Sequence, residues 1–137
     1  MQQRDFLMRQ IEQMSQAFAA LIRRLLGLSM KDVEKETEKE TNELLKDQLN
    51  TSIEELLQIP PKEISEFIVR KKGLDVLNLE LFAHILMLNA KATSIHTDRE
   101  KLYKIALEVY HWINNKSRTF SMERQSKIQE IEDYLTE

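Results

Sequence analysis

Four residues in the C-terminal half of the chain have the types and the spacing of a metal site. Glu108 and His111 are three residues apart, which places a carboxylate and an imidazole on one face of a helix, as in di-iron helical bundles. Such bundles use two of these motifs, and the nearest second pair is Glu80 with His84, four residues apart. One complete motif is more typical of an exposed polar helix face. We therefore predict no metal and no other cofactor, and the alternative function is a small metal-binding or ligand-binding protein that uses these four residues.

No arrangement of nucleophilic residues indicates an enzyme. The chain has no cysteine, which removes thiolate nucleophiles, thiolate metal ligands and disulfides together and favours a reducing compartment. A Ser-His-acid system needs loop-borne or strand-borne geometry that a helical pattern does not provide, and His96 is interpreted as an ordinary turn residue. We therefore expect a non-enzymatic protein without catalytic residues, located in the cytoplasm.

The distribution of charge argues against nucleic acid as a partner. Twenty basic and 23 acidic residues give a formal net charge of −3, so bulk charge does not attract a phosphate backbone. The run Arg70-Lys71-Lys72 falls at a predicted helix C-terminus, where positive charge complements the unsatisfied carbonyl groups. No aromatic platform is expected beside it. Capping of the helix is therefore the predicted role of this run.

Composition points to a helical fold. Glycine and proline number two each among 137 residues, so tight turns are scarce and long helices are favoured. A hydrophobic content of 42 % at this length suits one core. The predicted fold class is all-α, with a long N-terminal heptad helix followed by antiparallel helical hairpins. Residues 1–50 hold the long helix and a charged second helix, residues 51–137 hold a helical bundle, and the two are expected to form one structural unit.

The clearest pattern is an apolar seam in the first thirty residues. Its members are spaced alternately by four and three residues, which is a heptad repeat, and such a repeat must be covered by a facing helix. Met8, Ala17 and Ile22 widen the seam. The pattern predicts assembly, with a homodimer or a complex with a protein partner as the expected state, through Leu7, Ile11, Met14, Phe18, Leu21, Leu25 and Leu28.

Two other uses of this first helix compete with self-association. Residues 17–28 combine apolar side chains with Arg23 and Arg24, which would suit a membrane interface. The heptad spacing favours a helical partner instead, because a membrane surface requires no knobs-into-holes packing. The helix could also fold back on its own domain. Periodicity does not separate a partner helix in the same chain from one in another chain, so this choice stays open.

Capping and breaking residues predict the first helix boundaries. The first helix is expected to end at Gly27 in the left-handed conformation, and Ser29 is expected to cap the second. Residues 31–47 include eleven charged residues, so the second helix is predicted to be mobile and barely buried. Thr51 or Ser52 opens a short third helix with a capping box.

The remaining boundaries follow from the same rules. Pro61 opens a helix that runs to Lys72, and Gly73 ends it. The next helix, over residues 74–93, is apolar almost all round and is predicted to be central. Thr97 is expected to cap the sixth helix and Ser121 the last.

Three aromatic residues of the sixth helix are candidates for contacting a bound peptide. Aromatic side chains on helical hairpins often anchor peptides, and the residues concerned here are Tyr103, Tyr110 and Trp112. Core packing is the competing interpretation, and we favour it for Trp112.

From Leu74 to the C-terminus the chain resembles a tetratricopeptide-repeat helix hairpin. Ala106 stands where that repeat has a small residue for close helix approach, and Tyr110 follows where it has a large one. At most one and a half repeats are present, fewer than the three or so that a free solenoid requires. The resemblance implies a helical scaffold in this half of the chain.

A broader resemblance spans most of the chain. Residues 4–12, Arg-Asp-Phe-Leu-Met-Arg-Gln-Ile-Glu, and residues 117–125, Ser-Arg-Thr-Phe-Ser-Met-Glu-Arg-Gln, are similar to a family of small bacterial all-helical proteins of unknown function. That resemblance supplies no activity and no site residues. The expected function is therefore a non-enzymatic helical scaffold or interaction protein that assembles through its N-terminal heptad helix.

Overall fold

A computed structural model describes residues 2–137, apart from the side chain of Gln2. Within this range there are seven α-helices and no strand, which confirms the all-α class. A π-helical turn, Phe67–Lys71, continues the fourth helix. The helices are α1 Gln2–Leu26, α2 Val33–Leu49, α3 Ile53–Gln58, α4 Pro61–Glu66, α5 Val76–Ala92, α6 His96–Ser117 and α7 Met122–Leu135.

Helix α5 lies at the centre of the molecule, as its apolar circumference predicts. It packs against α1, α2 and α6, and α6 in turn packs against α3, α4 and α7. Helices α1 and α2 form an antiparallel pair joined by an ion pair between Arg24 and Glu40. The buried apolar side chains form one cluster that runs from Phe18 in α1 to Ile131 in α7. Residues 1–50 and 51–137 therefore contribute to the same core.

Several predicted boundaries are confirmed by their hydrogen bonds. The hydroxyl oxygen of Ser52 accepts from the backbone N–H of Glu55 at 3.2 Å, which begins α3. The hydroxyl oxygen of Ser121 accepts from the backbone N–H of Arg124 at 3.1 Å, which begins α7. Gly73 follows the π-helical turn with a φ of 71°, a conformation that disfavours other residues.

Two helix starts and one helix end differ from the predictions. Helix α1 does end before Gly27. The backbone N–H groups of Gly27 and Leu28 donate to carbonyl groups three residues earlier, and Gly27 does not adopt a left-handed conformation. Helix α2 begins at Val33, because Ser29 forms a turn with Asp32 in place of a cap. Helix α6 begins at His96 without a side-chain cap, so Thr97 is not its capping residue.

Helix α2 is buried on one side, and the prediction that it is barely buried is wrong for that side. Thr37, Thr41, Leu45 and Leu49 are all buried. They follow one another at intervals of four, so they share one face of the helix. The hydroxyl oxygen of Thr41 accepts from the side-chain amide of Asn89 at 2.8 Å. Thr41 therefore lines this buried face with its hydroxyl bonded to α5.

Candidate interaction surface

The heptad seam of α1 divides into a covered part and an uncovered part. Phe18 is fully buried, and Leu21 and Leu25 are 5 % exposed. Leu7 is 56 % and Ile11 is 38 % exposed, while Met14 and Leu28 are half-buried. Phe18, Leu21 and Leu25 therefore pack within their own chain, and the prediction that these three mediate assembly is corrected. Their cover is supplied by α5 and α2 of the same chain, which periodicity could not reveal.

A polar contact marks the point where the cover begins. The hydroxyl of Ser15 donates to the side-chain oxygen of Asn78 at 2.8 Å, and the side-chain amide of Asn78 donates to the carbonyl of Ile11 at 3.3 Å. Asn78 is buried and lies in the first turn of α5. The part of α1 before Ile11 therefore extends past the N-terminus of α5, by roughly 13 Å at about 1.5 Å per residue.

This extension of α1 carries an exposed apolar surface. Every residue from 3 to 13 is exposed. Two further exposed apolar residues, Val76 and Leu77, lie at the start of α5, directly before Asn78 in the sequence. Contiguous exposed apolar groups on a globular protein commonly mark an interaction site. We call this the N-terminal apolar surface, and its members are Phe6, Leu7, Met8, Ile11, Val76 and Leu77.

Two of the three candidate peptide-contact aromatics are inside the protein. Tyr110 is fully buried and its hydroxyl donates to the sulfur of Met87 at 3.7 Å, while burial raises its pKa far above the usual value. Tyr103 is 5 % exposed and packs on Tyr134 with ring centroids 4.6 Å apart. The peptide-contact prediction is therefore wrong for Tyr103 and Tyr110. Trp112 is half-buried against the core, with the amine of Lys116 5.8 Å from the centroid of its ring.

The four candidate metal ligands do not converge. Glu80 pairs with Arg124, and His111 is exposed. Burial and then the positive charge of Lys127 lower the pKa of His84. The backbone carbonyl of Glu108 accepts from the hydroxyl of Ser65 on α4. Among residues 2–137, no group of three or more His, Asp or Glu side chains is placed to hold a metal ion. The geometry thus lends no support to the metal-binding alternative.

Arg124 is a buried charge that sequence reasoning missed. It is 5 % exposed, and its guanidinium donates to the side-chain oxygen of Asn114 at 2.7 Å, to the carboxylate of Glu80 and to the carbonyl of Thr119. A buried guanidinium is tolerated only when its donors are satisfied in this way. The spacing of residues could have indicated this burial, because Arg124 lies one helical turn before the core residue Ile128 and so shares its face of α7.

The basic run at the end of the π-helical turn has an aromatic neighbour after all. The amines of Lys71 and Lys72 lie 6.0 and 5.4 Å from the centroid of the Phe67 ring, and Arg70 pairs with Glu66 at 3.1 Å. The two lysines therefore make cation–π contacts with an aromatic ring of their own chain. The expectation that no aromatic group accompanies the run is therefore corrected.

Acidic residues from three helices line a small cavity of about 120 Å³. Glu34 accepts from the backbone N–H and the hydroxyl of Ser94 at 2.9 and 2.6 Å, and these bonds lower its pKa. A hydrogen bond with Glu54, followed by burial and the nearby charges of Glu54 and Asp98, raises the pKa of Glu38. The side-chain oxygen of Asn42 on α2 accepts from the backbone N–H of Ile53 at 2.8 Å, which joins α2 to α3 beside this cluster. The cluster therefore has a structural explanation as a joint between helices.

Comparison with known proteins adds no relative. No protein family model, curated protein or solved structure matches this chain. None of the helices in residues 2–137 is long and apolar enough to cross a membrane.

Proposed function

We propose that this protein is a non-enzymatic helical interaction protein that assembles through the N-terminal apolar surface. The observation that carries the proposal is the contrast along α1, where the seam is fully buried at Phe18 and more than half exposed at Leu7. An apolar stripe that continues beyond its own cover presents the same side chains to another molecule.

Burial of this surface would provide a useful driving force. Covering a leucine or methionine side chain completely stabilises by about 1.5 to 3 kcal/mol. Leu7 and Met8 are 56 % and 59 % exposed, so each would contribute about half of that value on contact. The buried half of α1 also supports the proposal, because it anchors the helix and holds the exposed half in helical form before any partner arrives.

The C-terminal half supports a scaffold role. Helices α5 and α6 form the most extensive helix pair, and Ala106 is fully buried between helices, as a tetratricopeptide-like hairpin requires. We propose that this hairpin supports the interaction surface and that the protein acts in the cytoplasm, where a chain without cysteine needs no disulfide.

Sedimentation equilibrium at micromolar concentration tests the assembly role. The variant Leu7→Glu/Ile11→Glu introduces two charges into the N-terminal apolar surface, and it should remain folded because both positions are exposed. The wild type should self-associate and this variant should be monomeric. Met122→Glu is the matched control, since Met122 is an exposed apolar residue at the start of α7, away from α1. A monomeric wild type would contradict the proposal.

A further inference from the structure

The exposed end of helix α1 carries a basic, an apolar and an acidic side chain in a row along one face. Arg4, Met8 and Glu12 follow one another at intervals of four, so they lie along one face of the helix, and all three are exposed. Leu7 and Ile11 form the neighbouring line. Neither Arg4 nor Glu12 takes part in an ion pair within residues 2–137. The face therefore carries Arg4 one turn before Met8 and Glu12 one turn after it, and the exposed Asp5, three residues before Met8, adds a negative charge beside Arg4.

This pattern is complementary to itself when reversed. A twofold axis through Met8 pairs each residue with the one equally distant on the other side, which places Arg4 opposite Glu12 of the partner subunit and Met8 opposite Met8 of the partner subunit. Most homodimers are isologous in this sense, because the same patch on both subunits meets itself. Both ion pairs then form at once, at the two ends of one apolar contact.

We propose, building on the assembly role above, that the molecule covering the N-terminal apolar surface is a second copy of this chain, with the two α1 helices antiparallel and crossing at Met8. A parallel pair would place Arg4 opposite Arg4 of the partner subunit and Glu12 opposite Glu12 of the partner subunit, which are like-charge contacts. The antiparallel pair also points the two helical bodies in opposite directions from the crossing, since the body of each chain begins at Ile11.

A second copy of the chain would bring the same exposed apolar side chains to the contact again. A specific interface removes at least about 1,000 Å² of surface in total, and an isologous contact counts the same apolar surface twice. Each copy contributes exposed parts of Leu7, Met8 and Ile11, together with Leu77 beside them. The partner's α1 extends past the crossing toward this residue of α5.

Charge reversal gives the first test, with the dissociation constant of the dimer measured by sedimentation equilibrium at low salt. Arg4→Glu converts both ion pairs into like-charge contacts and should raise the constant by about tenfold or more. The swap Arg4→Glu/Glu12→Arg restores both pairs in the reverse sense and should return the constant to within about threefold of the wild type. Arg9→Glu is the matched control, because it carries the same charge change one residue away from Met8, on another face.

Disulfide formation gives the second test. The chain has no cysteine, so Met8→Cys introduces the only thiol, and two such thiols meet at the proposed crossing. Mild oxidation should link Met8→Cys into a covalent dimer much faster than Arg9→Cys. Circular dichroism of every variant should retain the wild-type helical signal, since all these positions are exposed.

The possible results separate this geometry from the assembly role on which it rests. A wild-type dimer in which Arg4→Glu behaves like Arg9→Glu, or in which the charge swap fails to restore association, would overturn the antiparallel pairing and leave the assembly role intact. A monomeric wild type would overturn both.

Discussion

The two halves of α1 have the same repeat and similar residues but lie in different surroundings. Phe18 and Leu25 are in the core, whereas Leu7 is more than half exposed one to two helical turns beyond the body. The difference lies in the neighbour, because α5 begins at Val76, beside Ile11 and Ser15. A heptad seam thus predicts that a face needs a cover. It does not predict how far along the helix the chain itself provides one.

The boundary between the two halves is polar, and this has a structural consequence. The hydroxyl of Ser15 donates to the side-chain oxygen of Asn78 in a partly buried position, and the side-chain amide of Asn78 donates to the carbonyl of Ile11. Apolar contacts alone tolerate sliding by a turn, since one leucine resembles the next. Directional bonds between these groups fix which turn of α1 lies at the start of α5.

The largest difference is expected for alanine substitution at seam positions in the two halves. Phe18→Ala removes a fully buried ring and should lower the free energy of unfolding by about 3 to 5 kcal/mol. Leu7→Ala should change it by about 0.5 kcal/mol or less, because its side chain is mostly in solvent. Urea titration at submicromolar concentration, where association is minimal, measures both. Equal midpoint shifts would show that the covered and uncovered halves are wrongly assigned.

An intermediate effect is expected at the polar boundary. Asn78→Leu removes one acceptor of the Ser15 hydroxyl and the amide donor to the Ile11 carbonyl, while that carbonyl still lies 2.9 Å from the Ser15 hydroxyl. The loss of these two hydrogen bonds should cost about 0.5 to 1.5 kcal/mol. Asn115→Leu, at an exposed position of α6, should cost about 0.5 kcal/mol or less. Thermal unfolding compares the two variants, and hydrogen exchange should increase around Ser15 in the first of them alone. Unchanged exchange there would mean that apolar contacts suffice to hold α1 in place.

The smallest effect on stability is expected at the joint between α2 and α3, which lies away from the exposed end of α1. The pKa of Glu38 is raised, first by its hydrogen bond with Glu54 and then by burial, so the folded state holds this proton more tightly than the unfolded chain does. Its stabilisation is therefore fully present below the usual pKa of glutamate and is lost as the pH rises through the raised pKa. Glu38→Gln keeps a donor for Glu54 at every pH.

The variant Glu38→Gln should accordingly melt slightly above the wild type at pH 7, and the difference should vanish near pH 4. Glu43→Gln on the exposed side of α2 is the control for a loss of one negative charge. Scanning calorimetry at the two pH values provides the measurement. A gain that is the same at both pH values would show that Glu38 and Glu54 do not share a proton.

Local signals in the sequence determined where most helices lie. Ser52 and Ser121 cap the helices that follow them, Pro61 occupies a first helical position and Gly73 ends a helix with positive φ. These are interactions within a few residues, so the identity of the side chain decides them. The apolar circumference of α5 likewise identified it as central, because only burial on all sides suits such a helix.

Only the tertiary structure decided which residues of each sequence pattern are buried and which are exposed. The seam of α1 is continuous in the sequence, yet the first turn of α5 separates Leu7 in solvent from Phe18 in the core. The start of α6 also differs from the one predicted at Thr97 because of a contact between distant segments. Glu34 of α2 binds Ser94 and fixes the chain before α6. The buried Arg124 pairs with Glu80 of α5, which is distant in sequence, in addition to two nearer acceptors, Asn114 and Thr119. Each outcome depends on groups distant in sequence, whose meeting no local pattern encodes.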